Sequence, residues 1–473
     1  MRICLIMEGS YPYVRGGVSS WTHELISAMP EHEFVIWAIG ALEESRGKFR
    51  YTLPANVVEV REIFLDEALK LRARKNSAYA FTTEESEEIH KLFLSQDPDW
   101  DVLFNCYSKK NHNPVEFLMS EQFLELLKEL CRERYPFASF SALFYTVRSM
   151  FLPLMHLMGA GIPEADIYHS TAAGYGSVLG AMGAWKFHKP FLLTEHGIYT
   201  REREEEILRS KWVAPEFRDL WISLFHVLSR CAYSRADRVT SLFSKAMATQ
   251  IDLGCKPEKC LVIRNGIKNE EFEAIPLKEP DGMVDIGAVV RVVPIKDIKT
   301  MIYAFANLQS QIKKVRLHII GDLSDTEYSG ECTALVHQLG LTNVLFVGET
   351  NVRQYLSKLD FTILSSISEG QPLAVIESMA ARRPCVVTNV GACRELVEGG
   401  ADDTYGAAGI CVPPMHTKAL TDAMTQLCQN PGLRLAMGEA GRQRVRRFYS
   451  QKEMVANYNE LYERALSDGG NRV

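Results

Sequence analysis

The sequence lacks the features that mark several classes of protein. Eleven cysteines are scattered along 473 residues without a CxxC pair, and there is no low-complexity tract or obvious internal repeat. The net charge is −6, which gives no reason to expect nucleic acid as the main partner. With no signal peptide pattern at the start, the scattered cysteines favour free thiols in a cytoplasmic protein over a disulfide framework.

No stretch is convincing as a membrane-spanning helix. The segment 149–163 is uncharged but shorter than the ~20 residues that a spanning helix needs. The segment 167–185 is uncharged and long enough, yet it contains four glycines together with Ser, Thr and His. We expect this second segment to form a Gly-rich loop and a buried helix.

What is present is a repeated order of apolar strand, turn and amphipathic helix. Apolar residues make up 47% of the chain and charged residues 24%, as in an ordinary globular protein of two or three domains. Two alternating series are separated by an acidic, turn-rich linker at 270–282. The pattern predicts an α/β protein with two Rossmann-like domains that face each other across a cleft.

The predicted domain bounds follow from where this alternation is regular. The first domain is residues 1–275, with a large and mostly helical insertion at about 41–150, and the C-terminal helix at 450–473 completes it. The second domain is residues 276–449.

The most informative stretch is SEGQPLAVIESMA, residues 368–380, which follows the apolar run 361–364. Ser368 could cap the helix, Gly370 relieves the backbone, and Pro372 suits the first turn. A strand, a Gly-containing loop and a helix N-terminus form an anion site, because the first N–H groups have no partner within the helix.

Two carboxylates, Glu369 and Glu377, mark this anion site. They suit the hydroxyl groups of a nucleotide sugar, whose diphosphate would lie between two sugars. The alternative is a surface loop whose acids favour the helix dipole. The spacing argues against a hydrolase pair, because eight helical residues span ~12 Å and glycosidase carboxyls lie ~5–9.5 Å apart.

Several other residues are candidates for binding. Arg291 and Lys296 follow the first strand of the second series and could hold a diphosphate. His196 ends a strand where doubly wound sheets bind ligands, although a structural histidine is the alternative. Gly16-Gly17 follows the first strand, where a ligand could approach the backbone. Asp97, Asp99 and Asp101 flank Pro98 and Trp100, so we interpret them as a turn, not a metal site.

This constellation resembles the retaining glycosyltransferases of family 4, which have the GT-B fold. The matching residues are Arg291, Lys296, Asn265-Gly266, Gly348, and the pair Glu369 and Glu377 with seven residues between them. Segments 1–26 and 192–204 look like the cytoplasmic glycosyltransferases of Pel exopolysaccharide systems. One departure is Asp297, where many family members have glycine.

The resemblance implies a role for each matching residue. Arg291 and Lys296 would hold the diphosphate, Glu377 the ribose hydroxyls, and Glu369 the hydroxyls of the donor sugar. His196 would lie near the developing positive charge, and Gly16 and Gly17 would meet the donor across the cleft. The remaining donor-binding residues are Asn265, Gly348, Gly370, Gln371, Pro372 and Leu373. No metal or cofactor is expected.

The expected activity is therefore transfer of a hexosyl or N-acetylhexosaminyl group from a UDP-sugar to a growing exopolysaccharide, with retention of configuration. The alternatives are a nucleotide-sugar epimerase on the same scaffold and a catalytically silent subunit of an export complex. We expect a cytoplasmic protein that inner-membrane synthesis and export subunits recruit to the membrane. The acceptor would be the polysaccharide.

Overall fold

The computed structural model describes residues 1–73, 81–109, 113–400 and 402–469. The chain folds as two compact units. The first unit contains Met1–Val262 and the described residues from Tyr458 onward, and the second contains Ile263–Asn457. These bounds place 263–275 and 450–457 in the second unit, whereas the sequence pattern assigned them to the first domain.

The first unit is built on a parallel sheet, which has seven strands within the described residues and the order β3-β2-β1-β4-β5-β6-β7. Residues Ile3–Met7 of the interior strand β1 are fully buried, because helices cover both faces of a parallel sheet. The strands are β1 (Arg2–Glu8), β2 (Glu33–Gly40), β3 (Val57–Phe64), β4 (Ile167–Ser170), β5 (Phe191–Glu195), β6 (Arg238–Ser241) and β7 (Cys260–Val262).

Three helices of the first unit, which follow Thr82, Asn113 and Ser120, begin at a side chain that accepts a hydrogen bond from one of the first backbone N–H groups. Thr82 accepts from the backbone N–H of Glu85, and Ser120 accepts from that of Phe123. The helices are α1 (Gly17–Ser27), α2 (Thr83–Phe93), α3 (Trp100–Lys109), α4 (Pro114–Leu118), α5 (Glu121–Glu133), α6 (Phe140–Met158), α7 (Tyr175–Phe187), α8 (Tyr199–Arg209), α9 (Arg218–Arg235) and α10 (Ser244–Asp252).

The prediction of a mostly helical insertion at 41–150 is wrong at its start. Strand β3 lies within that range and pairs in parallel with β2 at the edge of the sheet. Its sequence, VVEVREIF, has three charged residues among five apolar ones, because an edge strand keeps one side accessible to water. Helices α2–α6 form the helical part of the predicted insertion, and its residues 74–80 and 110–112 lie outside the described part of the chain.

The second unit repeats the architecture with a smaller parallel sheet, of six strands in the described part of the chain. Its strand order is β10-β9-β8-β11-β12-β13, so β8 and β11 are central neighbours. The strands are β8 (Val284–Val289), β9 (Val315–Ile320), β10 (Val344–Gly348), β11 (Phe361–Leu364), β12 (Cys385–Thr388) and β13 (Gly409–Val412).

The remaining helices connect the strands of the second unit, and the last of them extends into the residues assigned to the first unit. They are α11 (Asn269–Glu273), α12 (Ile298–Gln311), α13 (Thr326–Gln338), α14 (Val352–Leu356), α15 (Leu373–Ala380), α16 (Cys393–Glu398), α17 (Thr417–Gln429), α18 (Pro431–Phe448) and α19 (Gln451–Gly469).

The structure tests the predictions about membrane-spanning helices and about free cysteines. None of the helices among the described residues is long and apolar enough to cross a bilayer. The uncharged segment 167–185 forms strand β4, a turn and most of the buried helix α7, as predicted. All eleven cysteines are free thiols, and most of them are buried.

Candidate functional site

The carboxyl ends of β8 and β11 define the candidate site of the second unit. In a doubly wound sheet the chain runs outward in opposite directions from these two neighbouring strands, and the loops that follow them diverge to leave a crevice. The loop after β8 carries Arg291 and Lys296, and the loop after β11 carries Glu369. The strand order therefore brings together two loops that are distant in sequence.

The loop after β8 ends in a tight turn at Asp297. This residue adopts the left-handed conformation, with φ of 47°, that glycine adopts without strain. Aspartate tolerates this conformation better than most residues, and here its Oδ1 accepts a hydrogen bond of 3.4 Å from the backbone N–H of Thr300 in α12. The departure from glycine therefore preserves the turn and adds a helix cap.

Hydrogen bonds join the two loops directly. The Ser365 hydroxyl contacts the carbonyl oxygens of Lys296 at 2.9 Å and Asp297 at 3.0 Å. The backbone N–H of Ile367 donates to the carbonyl oxygen of Ile295 at 2.9 Å. Because these bonds involve the backbone, the relative position of the two loops is fixed before any ligand binds.

The side chains of Lys296 and Glu369 meet between these loops. The Lys296 Nζ lies 2.5 Å from Glu369 Oε1, and both side chains are largely buried, with 17% and 10% of their surface exposed. The Ser366 hydroxyl donates to the same oxygen at 2.5 Å. The sequence predicted that each charge faces a ligand, whereas here each charge is neutralised by the other, as burial of charge requires.

A third loop, after β12, supports the Glu369 loop from its other side. The Thr388 hydroxyl donates to the carbonyl oxygen of Ser366 at 2.6 Å, and the N–H of Ala392 donates to that of Gly370 at 2.9 Å. Gly391 has φ of +52°, and a Cβ there would overlap the carbonyl oxygens of Glu369 and Gly370. Only glycine allows this close approach.

Helix α15 begins at Leu373, and its start differs from the prediction. Pro372 immediately precedes the helix, and no side chain caps the helix, so Ser368 is not the cap. Gly370 is also absent from the residues with positive φ, so the predicted backbone relief is located at Gly391 instead. The prediction that Glu377 lies within the helix is confirmed, and this side chain is half-buried.

Asn265 packs beside the start of α15. Its backbone N–H donates to the side-chain oxygen of Gln371 at 2.7 Å, and Asn265 is 5% exposed. The preceding residue, Arg264, pairs with Glu395 of α16 at 3.0 Å. The structure thus brings Asn265, Gln371, Lys296 and Glu369 to one edge of the sheet.

Arg291 and Gly348 lie toward the other side of that edge. Arg291 is exposed and its charge acts on Asp322, whose pKa is lowered mainly by hydrogen bonds from Ser324. The carbonyl oxygen of Gly348, at the end of β10, accepts from the N–H of Gly321 at 3.0 Å. Strand β9 separates Gly348 from β8, so its predicted contact with the donor remains a prediction.

The candidate residues of the first unit lie at the carboxyl edge of its own sheet. The His196 ring stands edge-on to Trp21, with ring centroids 4.6 Å apart. Burial lowers the pKa of His196 to about 4, so the ring is neutral near pH 7. Gly16 and Gly17 are exposed at the start of α1, and Gly16 is extended, with φ of 171°.

Comparisons with known proteins agree with this architecture. The structure of HepE from Anabaena in complex with UDP aligns with 98% of the chain and 100% of its own length, with a TM-score of 0.62 at 14% identity. The family model "Domain of unknown function (DUF3492)" matches residues 1–258, and "Glycosyl transferases group 1" matches residues 269–444. The chain belongs to the DUF3492 family and is a glycosyltransferase of the GT-B type.

Characterised relatives of this glycosyltransferase are distant. The MMP alpha-(1->4)-mannosyltransferase of Mycolicibacterium hassiacum is 24% identical over 61% of this chain and 68% of its own length. The N-acetyl-alpha-D-glucosaminyl L-malate synthase of Bacillus anthracis is 29% identical over 37% of this chain and 44% of its own length. The structure of sucrose-phosphate synthase from Thermosynechococcus elongatus aligns with a TM-score of 0.62 at 17% identity, over 99% of both chains.

Two acids in the first unit of the glycosyltransferase, the half-buried Glu8 and the buried Glu195, were missed from the sequence. Glu8 ends β1 and accepts from the Tyr199 hydroxyl at 3.0 Å and from the Gly176 N–H at 3.2 Å. Burial raises the pKa of Glu8. Its signal was an acid at the carboxyl end of an otherwise apolar strand, RICLIME.

The same signal marks Glu195, the last residue of β5. Its carboxylate accepts from the Tyr233 hydroxyl and the Gln250 amide, both at 2.8 Å, and from the N–H of Tyr199 at 3.2 Å. Burial raises the pKa of Glu195 to about 7. Glu195 thus connects helices α8, α9 and α10 immediately before His196.

Asp97 and Asp99 lie in the loop before α3, whereas Asp101 lies in the first turn of that helix, so the prediction of a turn is wrong for Trp100 and Asp101. Asp97 pairs with Arg230 at 2.7 Å, and Asp101 pairs with Arg235 at 2.6 Å. Among the described residues, no three His, Cys, Asp or Glu side chains are grouped so that they could hold a metal ion.

Proposed function

We propose that this glycosyltransferase moves a hexosyl or N-acetylhexosaminyl group from a UDP-sugar onto a growing exopolysaccharide of the Pel type, with retention of configuration. The observation that carries the proposal is the meeting of Lys296 and Glu369 at the β8–β11 crevice. A lysine suits a diphosphate, and a carboxylate suits the hydroxyl groups of a sugar. The N-terminus of α15, which no described side chain caps, adds backbone N–H groups to the same edge.

In this proposal, donor binding separates Lys296 from Glu369, and each side chain then contacts the donor. Lys296 turns from Glu369 to the diphosphate, where Arg291 adds a second positive charge. Glu369 then accepts hydrogen bonds from the donor sugar, and Glu377 accepts them from the ribose. The segment 370–373 lies against the phosphates and the sugar, with Asn265 and Gly348 nearby. The relatives support a nucleotide donor, since HepE was solved with UDP-glucose.

The proposed reaction is a front-face substitution. The bond from the anomeric carbon to the diphosphate oxygen breaks, and its electron pair leaves with UDP. The acceptor hydroxyl attacks the same face of the oxocarbenium-like sugar and transfers its proton to the departing phosphate oxygen. Arg291 and Lys296 stabilise the leaving charge, so no metal ion is required.

The first unit contributes His196, Gly16 and Gly17 to the donor in this proposal. A neutral His196 can approach the developing positive charge of the sugar without repelling it, because burial lowers its pKa to about 4. The exposed backbone of Gly16 and Gly17 leaves room for a ligand, since a Cβ at either position would meet nothing within 4 Å.

The experiment is a donor panel of UDP-glucose, UDP-N-acetylglucosamine and UDP-N-acetylgalactosamine, with transfer of labelled sugar to acceptor as the readout. Glu369→Ala should nearly abolish transfer while UDP still binds in calorimetry, and Glu377→Ala should weaken UDP binding itself. Glu327→Ala, an exposed acid of α13, is the matched control. Normal UDP binding and normal transfer in both site variants would show that the loop is wrongly assigned.

The same panel separates the alternatives. An epimerase would change the configuration of the donor sugar without moving label to an acceptor. A silent export subunit would neither release UDP nor transfer sugar from any donor.

A further inference from the structure

Ser366 is a buried residue whose hydroxyl contacts a proposed catalytic group. It has no exposed surface, and its Oγ lies 2.5 Å from Oε1 of Glu369. Lys296 Nζ lies at the same distance from that oxygen. Two donors, one neutral and one charged, therefore meet at a single carboxylate oxygen.

The two donors have different fates in the proposed reaction. Lys296 has a flexible side chain and is needed at the diphosphate, so it must leave Glu369 when the donor binds. The serine hydroxyl is attached to a short side chain and has no such competing role. After the exchange it still holds Oε1, which fixes the rotation of the carboxylate and thus the direction in which Oε2 points.

The backbone of Ser366 is itself anchored on both sides. Its carbonyl oxygen accepts from the Thr388 hydroxyl at 2.6 Å, which ties it to β12. The next residue, Ile367, donates its N–H to Ile295 in the loop after β8 at 2.9 Å. The preceding hydroxyl, that of Ser365, contacts the carbonyl oxygens of Lys296 and Asp297. The Ser366 hydroxyl is therefore held in place by bonds that do not involve Glu369.

We propose that Ser366 is a positioning residue for Glu369: it holds one carboxylate oxygen so that the other meets the hydroxyls of the donor sugar after Lys296 has moved to the diphosphate. This inference rests on the proposed function. It assigns Ser366 to the sugar end of the donor, and not to the nucleotide end.

The test compares Ser366→Ala with Ser378→Ala. Ser378 is also almost fully buried, but its hydroxyl donates within α15 to the carbonyl oxygen of Ala374. Loss of a hydrogen bond to a charged group predicts that kcat for the donor identified by the panel falls roughly 10- to 100-fold in Ser366→Ala. The affinity for UDP, measured by calorimetry, should change less than about twofold, because Ser366 acts at the sugar end of the donor and not at the nucleotide. Ser378→Ala should change neither quantity.

Two outcomes of the kinetic test would overturn the inference. A kcat equal to that of the unaltered enzyme would show that Glu369 needs no support. An equal loss of kcat and of UDP affinity would show that the serine merely stabilises the whole loop.

A crystal structure of Ser366→Ala with UDP bound decides the question even if no donor in the panel is used, because Lys296 is then drawn from Glu369 to the diphosphate. The Glu369 carboxylate should leave the position that it has in the UDP complex of the unaltered protein, or occupy several positions, while α15 stays in place. A carboxylate that keeps the position it has in the unaltered UDP complex would refute the inference. Failure of the whole panel would refute the proposed function alone.

Discussion

Replacing Glu195 by Gln should remove a pH dependence from the stability of the first unit. The Glu195 carboxyl is 2% exposed, and burial raises its pKa from the usual 4.5 to about 7. The folded protein therefore holds a proton there that the unfolded chain has released between these two values. Stability from this group is fully present below pH 4.5 and is lost as the pH rises through 7.

The magnitude follows from the size of this shift. Each pKa unit corresponds to about 1.4 kcal/mol, so ionising Glu195 should cost about 3 kcal/mol of unfolding free energy by pH 8. Buried histidines act in the opposite direction, since burial lowers the pKa of His169 to about 3 and of His196 to about 4. Both histidines are present in the unaltered protein and in Glu195→Gln. The difference between the unfolding free energies of the two proteins therefore removes the contribution of the histidines.

The assay is urea unfolding followed by tryptophan fluorescence from pH 4.5 to pH 8. All six tryptophans lie at or before Trp221, so their fluorescence reports the first unit. Glu204→Gln, at an exposed position of α8, is the control. Any hydrogen bond lost in Glu195→Gln lowers stability equally at every pH. A difference curve that stays flat, or that rises with pH in favour of Glu195, would refute the reasoning.

Three further results are expected. Arg291→Ala and Lys296→Ala should each lower turnover by the ~10²–10³-fold seen when an oxyanion stabiliser is removed. An unchanged single-turnover rate in either variant would disprove the role of that residue. Activity that is lost on EDTA treatment and strictly requires added metal would contradict the metal-free mechanism. Gly391→Ala should lower kcat and destabilise the second unit by at least about 1–2 kcal/mol from its left-handed backbone alone, whereas Gly432→Ala, whose Cβ would meet nothing within 4 Å, should not. We also propose that the insertion at 41–150 docks onto the membrane subunits; Phe137→Ser with Tyr145→Ser, which replaces side chains there that are 101% and 63% exposed, should leave transfer in solution intact but release the protein from membranes. Undiminished co-sedimentation and polymer production would exclude a docking role for these two side chains.

The helical insertion illustrates where sequence patterns failed. Strand β3 was missed because it lies at the edge of the sheet, where three of its eight side chains are charged and the pattern resembles a helix surface. The start of α15 was assigned to Ser368 because serine is a common cap, yet the structure leaves that end without a side-chain cap. A local rule of this kind considers only neighbouring residues. It cannot predict that the loop after β12, with Gly391, packs against the backbone of Glu369 and Gly370.

The sequence alone determined the two parallel sheets, except for the edge strand β3, and the GT-B glycosyltransferase type. Parallel strands covered on both faces must be almost wholly apolar, so β1, β8 and β11 are visible as short hydrophobic runs between turns. The charged candidates were visible because each follows such a run. Only the tertiary structure decided what they contact: Lys296 and Glu369 are 73 residues apart, and they meet because parallel crossovers place β8 and β11 side by side. Contacts of this kind depend on strand order and loop geometry, which no local pattern of residues contains.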